Sequence, residues 1–110
     1  MNEQIQSELK KIFNSRFSTS ESTRANYARG EDTYDPVLSK AVVFPETNEE
    51  VSKILKLCNE HKIPVVPFGT GTSLEGNVVG NENGITVSLE KMNKVLSVNA
   101  QDFDCRVQAC

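Results

Sequence analysis

The feature that most constrains this fold is a helix signal set between two short apolar runs, the second of which opens into a glycine-rich loop. Thr47 and Glu50 stand at the spacing of a capping box, in which hydroxyl and carboxylate each accept an amide of the first helical turn. Val51, Ile54, Leu55 and Cys58 follow at i, i+3, i+4 and i+7, which predicts one core-facing stripe. The helix is expected to end near His61 and Lys62, cations suited to the negative end of its dipole. Ala41 to Phe44 reads as a short buried strand before the helix. Ile63 to Phe68 reads as another after it, and Pro64 and Pro67 leave that one with a poorly paired edge. A strand, a helix and a strand in this order predict a right-handed crossover between parallel strands.

The loop runs Pro67-Phe68-Gly69-Thr70-Gly71-Thr72-Ser73-Leu74-Glu75-Gly76. Gly69, Gly71 and Gly76 permit backbone shapes and close approaches that a side chain blocks. Thr70, Thr72 and Ser73 add hydroxyl donors. No Lys or Arg lies between Ile63 and Glu90, so an anion here would be held by amides and hydroxyls, as in a nest. This points to a nucleotide-type cofactor held at its diphosphate. A Walker loop is excluded, since no lysine follows Gly71. A Rossmann fingerprint is excluded too, since Leu74 stands where its third glycine belongs. Taken alone, the loop also fits an ordinary turn.

Beyond the loop, Ile85, Val87 and Leu89 alternate with Thr86 and Ser88, the period of a half-buried strand. Turns at residues 90–93 and 100–103 bound two further strands, at 94–99 and 104–109, at hairpin-like intervals. The expected fold class is α+β: a parallel strand–helix–strand unit followed by an antiparallel meander. Upstream, residues 2–14 place Ile5, Leu9, Ile12 and Phe13 on one helical face. Ser20 with Thr23 opens a short second helix through Ala28, and residues 30–36 form a loop. The expected organisation is an N-terminal helical extension and loop over 1–35, then a domain portion over 36–110.

A chain of 110 residues has room for one modest domain with a core, and 37% hydrophobic with 25% charged residues suits a folded, soluble one. A net charge of −3 argues against a dedicated nucleic-acid binder. No apolar run approaches the roughly 20 residues needed to cross a bilayer. The opening Met-Asn-Glu-Gln lacks the pattern of a secretory signal, so a cytoplasmic location is expected.

The remaining candidates for chemistry read blandly. His61, the only histidine, sits at a helix end and is expected to cap it. Cys58, Cys105 and Cys110 form neither a metal-ligand nor a redox spacing, and Cys58 falls on the apolar stripe. Glu31, Asp32 and Asp35 lack the repeating oxygen spacing of a cation loop, so Asp32 is read as a turn residue. Glu75, the one charge in the loop, is expected to point away from a diphosphate. Lys91 and Lys94 are expected to be solvated.

The segment from Pro45 and Thr47-Asn48-Glu49-Glu50-Val51 through the helix to Pro64-Val65-Val66-Pro67-Phe68-Gly69-Thr70-Gly71-Thr72-Ser73-Leu74-Glu75-Gly76 resembles the start of a flavin domain. The family is that of the FAD-linked oxidoreductases typified by vanillyl-alcohol oxidase and p-cresol methylhydroxylase. The resemblance runs from about Gly30 to Ala109 and is nearest to D-lactate dehydrogenases and the flavin subunit of glycolate oxidase. It implies a PCMH-type FAD-binding domain, here incomplete, in which Gly69, Thr70, Gly71, Thr72 and Ser73 wrap the FAD pyrophosphate. Pro67 and Gly76 would shape its approach and exit. It also implies that Asp32 lies toward the cofactor side. Some relatives bond FAD to a histidine near this loop; none occurs from Gly69 to Gly76, so noncovalent FAD is expected.

The implied activity belongs to a longer enzyme: oxidation of a D-2-hydroxy acid such as lactate or glycolate, with electrons passing to a separate acceptor. The substrate pocket of such enzymes arises later in the chain. These residues therefore read as an N-terminal portion, with no catalytic residue and no metal ligand of their own. Cys110 departs from the glycine usual there. Two alternatives stay open: a truncated, non-catalytic flavin-binding or assembly module, and another chemistry on the same fold. The second would be that of the reductase of peptidoglycan precursor synthesis or of an ether-lipid synthase.

Overall fold

A computed structural model describes residues 3–32 and 34–109. The expectations that fall on Asn2, Thr33 and Cys110 lie outside the described residues. Helix α1 (Glu3–Phe13) buries Ile5, Leu9 and Phe13, the apolar positions of one face. A 3-10 turn (Asn14–Arg16) leads into β1 (Phe17–Ser18). Helix α2 (Glu21–Asn26) starts where the Ser20 hydroxyl accepts the Thr23 amide at 3.3 Å, a serine N-cap. Then come β2 (Ala41–Val43), α3 (Asn48–Glu60), β3 (Val65–Phe68), β4 (Ile85–Ser88), β5 (Val95–Asn99) and β6 (Asp104–Val107).

Strands β2 and β3 are parallel but not neighbours. The first sheet runs β1-β2-β4-β3, with β1 antiparallel at one edge and β4 parallel to both of its flanking strands. The strand expected to open the antiparallel meander is therefore the centre of the parallel sheet. The meander itself reduces to the β5–β6 hairpin, which forms a separate antiparallel sheet. The period-two pattern of β4 misleads because Thr86 and Ser88 are as buried as Ile85 and Val87. A central parallel strand has no solvated face. Thr86 tolerates burial because its hydroxyl pairs with that of buried Ser39 at 2.8 Å, and Ser39 Oγ also accepts the Asn81 amide at 3.0 Å. Strand β3 takes the other edge of the sheet, where the amide that Pro67 lacks is least missed.

Helix α3 begins as its capping signal predicts. The Glu50 amide donates to Thr47 Oγ1 at 3.2 Å. The Glu50 carboxylate accepts the Glu46 amide at 2.8 Å and the Arg16 guanidinium at 2.8 and 2.7 Å. Arg16 also donates to the Phe44 carbonyl at 3.2 Å, tying the N-terminal segment to the end of β2. The buried stripe differs from the expected one. Ile54 and Cys58 are buried and Leu57 packs against the core, whereas Leu55 is exposed. The reason is α1: Glu8 and Ile12 lie beside Leu57, so burial turns toward that side and away from Leu55. Leu55 and half-buried Val51 instead line an open groove of about 660 Å³ with Leu89, Met92 and Ala109. One core joins α1, β1, β2, α3 and β4, including Phe13, Phe17, Val43, Ile54 and Ile85.

Candidate functional site: a cation-free loop at the carboxyl end of the sheet

Strands β2, β4 and β3 point the same way, so their carboxyl ends share one edge, the position where open parallel sheets bind ligands. The 69–76 loop leaves β3 at that edge. Gly71 and Gly76 both adopt positive φ, +74° and +77°, which side chains disfavour. A Cβ on Gly71 would stand 2.5 Å from Phe68 Cζ, and one on Gly76 would stand 2.9 Å from Tyr34 Cδ2. Both glycines are therefore required twice over, for conformation and for space.

The loop leaves most of its backbone donors uncommitted among the described residues. Among the described residues, no amide from Thr70 through Leu74 donates to a protein acceptor. The Thr70 and Thr72 hydroxyls meet each other at 3.2 Å across Gly71. Ser73 Oγ donates to Asn77 Oδ1 at 3.2 Å and accepts the Glu75 amide at 3.4 Å, so its hydroxyl serves the loop itself. Glu75 is exposed. Consecutive free amides with flanking hydroxyls and no ammonium or guanidinium in the segment suit an anion whose charge is spread over several oxygens. Pro67 pairs with Val87 in the sheet and lies just before the loop. The residues singled out in the sequence thus come together in one place.

Two supports of this loop act through partners distant in sequence: nothing in the sequence signals Tyr27, while the family resemblance places only Asp32 of the second toward the cofactor side. Tyr27, just past α2, packs edge-to-face on Phe68 (centroids 5.1 Å apart) and on Phe44 (5.2 Å). Its hydroxyl donates to Glu90 Oε1 at 2.7 Å. Tyr27 therefore bridges the carboxyl ends of β2, β3 and β4. Burial, reinforced by the bond to Glu90, pushes its phenol pKa up to about 12. The second support comes from Glu31, Asp32 and Tyr34. The Glu31 amide donates to the Ser73 carbonyl at 2.9 Å. Asp32 Oδ1 accepts the Tyr34 amide at 3.0 Å, the turn role expected of it, while its Oδ2 is buried without a hydrogen bond.

The other candidates stay outside this site. His61 is exposed and caps the end of α3. Cys58 is buried, and that burial raises its thiol pKa; Cys105 is an exposed free thiol. Among the described residues, no group of His, Cys, Asp and Glu is placed to hold a metal ion. No helix among them is long and apolar enough to cross a membrane.

A three-strand parallel layer with a cation-free, glycine- and hydroxyl-rich loop at its carboxyl edge has the layout of open sheets that bind ligands at that edge. The chain belongs to the FAD binding domain family, which matches residues 39–110. It is 38% identical over 91 residues to a probable mitochondrial D-lactate dehydrogenase of Danio rerio, covering 83% of this chain and 18% of that protein. It is 51% identical over 73 residues to the mitochondrial D-lactate dehydrogenase [cytochrome] 1 of Saccharomyces cerevisiae, covering 64% and 12%. It is 37% identical over 68 residues to glycolate oxidase subunit GlcD of Bacillus subtilis, covering 62% and 14%. This chain thus spans less than a fifth of each of these relatives. Among solved structures, an alkyldihydroxyacetonephosphate synthase superposes with a TM-score of 0.84 at 20% identity, over 98% of this chain and 24% of that one. A p-cresol methylhydroxylase superposes at 0.72 and 21% identity, over 87% and 20%. The fold is the incomplete PCMH-type one expected, and the cofactor of its family is FAD.

Proposed function

We propose that these residues hold the pyrophosphate of noncovalently bound FAD in a flavin-dependent dehydrogenase that oxidises a D-2-hydroxy acid such as lactate or glycolate. The observation that carries this reading is the run of uncommitted amides from Thr70 through Leu74 beside two threonine hydroxyls. Gly69, Thr70, Gly71, Thr72 and Ser73 would hold the phosphates, with Pro67 and Gly76 shaping the entry and exit of the loop. The share of this segment in holding the diphosphate would be one of dipoles, since it carries no cation. When bound, FAD supplies the two-electron oxidant for the hydroxy acid, and the electrons leave to a separate acceptor. This chain's share is to bind and orient; the substrate groups belong to the rest of the protein.

The names of the D-lactate dehydrogenase and glycolate oxidase relatives support the hydroxy-acid class over the ether-lipid chemistry of the structural neighbour, whose likeness is one of fold. The family match from residue 39 supports treating 36–110 as the domain portion and 1–35 as an extension that contributes to its core. Several relatives are named mitochondrial. The cytoplasmic location therefore stands as a proposal that subcellular fractionation checks.

Gly71→Val is expected to abolish flavin retention by the full-length protein, because the side chain meets both the positive φ and the Phe68 ring. The visible absorbance band of the flavin reads this directly, and a variant that purifies fully yellow would sink the loop assignment. Acid precipitation is expected to release the flavin into solution. Anaerobic addition of D-lactate, glycolate and D-2-hydroxyglutarate then reads the substrate class by flavin bleaching; no bleaching by any of them would reject it.

A further inference from the structure

We infer that Gly30, Glu31, Asp32 and Tyr34 act as a strap that sets the shape of the pyrophosphate loop, with Tyr34 as a positioning residue for FAD binding. This rests on the reading of the 69–76 loop as the FAD site. The loop has few internal fastenings: the serine and threonine side-chain bonds described above, and the Val79 amide on the Gly76 carbonyl at 3.2 Å. A bare loop of glycines and hydroxyls loses much conformational freedom when it closes on a ligand. The strap removes part of that freedom in advance, at both ends of the loop's second half. At Ser73, the Glu31 amide holds the carbonyl at 2.9 Å. At Gly76, the ring of Tyr34 fills the space where a side chain would be.

The strap is itself held in form. Asp32 Oδ1 accepts the Tyr34 amide at 3.0 Å, tying Tyr34 to Asp32 while its ring lies against Gly76. Gly30 permits the close approach. A Cβ there would stand 2.8 Å from the Ser73 carbonyl oxygen, from Asp32 Oδ2 and from Val78 Cγ2, and the carbonyl cannot yield without moving the loop backbone. Tyr34 remains 61% exposed, so its ring contributes little to the core while lying against Gly76. Its hydroxyl has no hydrogen-bond partner among the described residues. The contact is therefore the ring's, and Tyr34→Phe preserves it.

The test is a flavin-fluorescence titration of full-length apoprotein, with the unfolding midpoint of the same apoprotein measured alongside. Tyr34→Ala is expected to weaken FAD binding about tenfold, the scale of one aromatic contact, with the apoprotein midpoint unchanged. Tyr34→Phe is expected to bind as the wild type does. Gly30→Ala is expected to weaken binding through the Ser73 carbonyl without touching the ring. Wild-type affinity in both Tyr34→Ala and Gly30→Ala would overturn the strap. So would a loss of affinity matched by a lowered apoprotein midpoint, which is a packing defect rather than positioning. Gly71→Val separates the two readings. If it loses flavin while the strap variants keep it, the strap alone is wrong; if it keeps flavin, the loop assignment fails, and the strap with it.

Discussion

At the residue scale, the most consequential polar contact away from the loop is the fork between Arg16 and Glu50. It joins the turn before β1 to the first turn of α3 and also reaches the end of β2. The Arg16 guanidinium, helped by the Glu46 and Thr47 amides and opposed by burial, holds the Glu50 carboxyl down to about 2. A folded-state value below the unfolded 4.5 means the contribution is fully present above pH 4.5 and is lost as pH falls from 4.5 through about 2. Glu50→Gln is expected to cost about 1–3 kcal/mol at pH 7, the range for charge-assisted bonds with a partly buried partner. It should also flatten the acid limb of stability between pH 4.5 and 2. Urea unfolding across that range measures both; an unchanged acid limb would show that the fork does not govern it.

At the element scale, α3 and β3 were readable because their signals are local. The Thr47 cap, the Ile54 and Cys58 spacing, and the prolines of an edge strand lie within a few residues of what they determine. The glycine loop was readable for the same reason, since positive φ at Gly71 and Gly76 is a property of the residues themselves. What escaped was decided at a distance. Thr86 looks solvent-facing until Ser39 is seen opposite it. Leu55 looks buried until α1 is seen covering the other side of α3. Tyr27 signals nothing until Phe44, Phe68 and Glu90 converge on it. Within α3, Ile54→Ala is expected to cost about 2–5 kcal/mol through lost burial and a residual cavity. Leu55→Ala should fall within about 1 kcal/mol, as for an exposed position. Equal costs in thermal unfolding would contradict the observed rotation of the stripe.

At the scale of the whole molecule, the parallel layer depends on its last strand. Strands β2 and β3 touch β4 and not each other, so no sheet contact joins them until residues 85–88 are in place. A chain ending at residue 83 is expected to retain helix but to unfold without cooperativity, because β3 then has no partner strand. Circular dichroism during a thermal ramp checks this, and a sharp melt would show that the helices alone hold residues 1–83 together.

The strand order also sets a calendar for the growing chain. The 69–76 loop leaves the ribosome before the strand that fixes its stem, and at about 5–20 residues per second that interval lasts on the order of a second. During that interval Phe68 has no β4 to pair with and the loop has no rigid edge to stand on. The stem of the loop is thus fixed only once synthesis has passed Ser88.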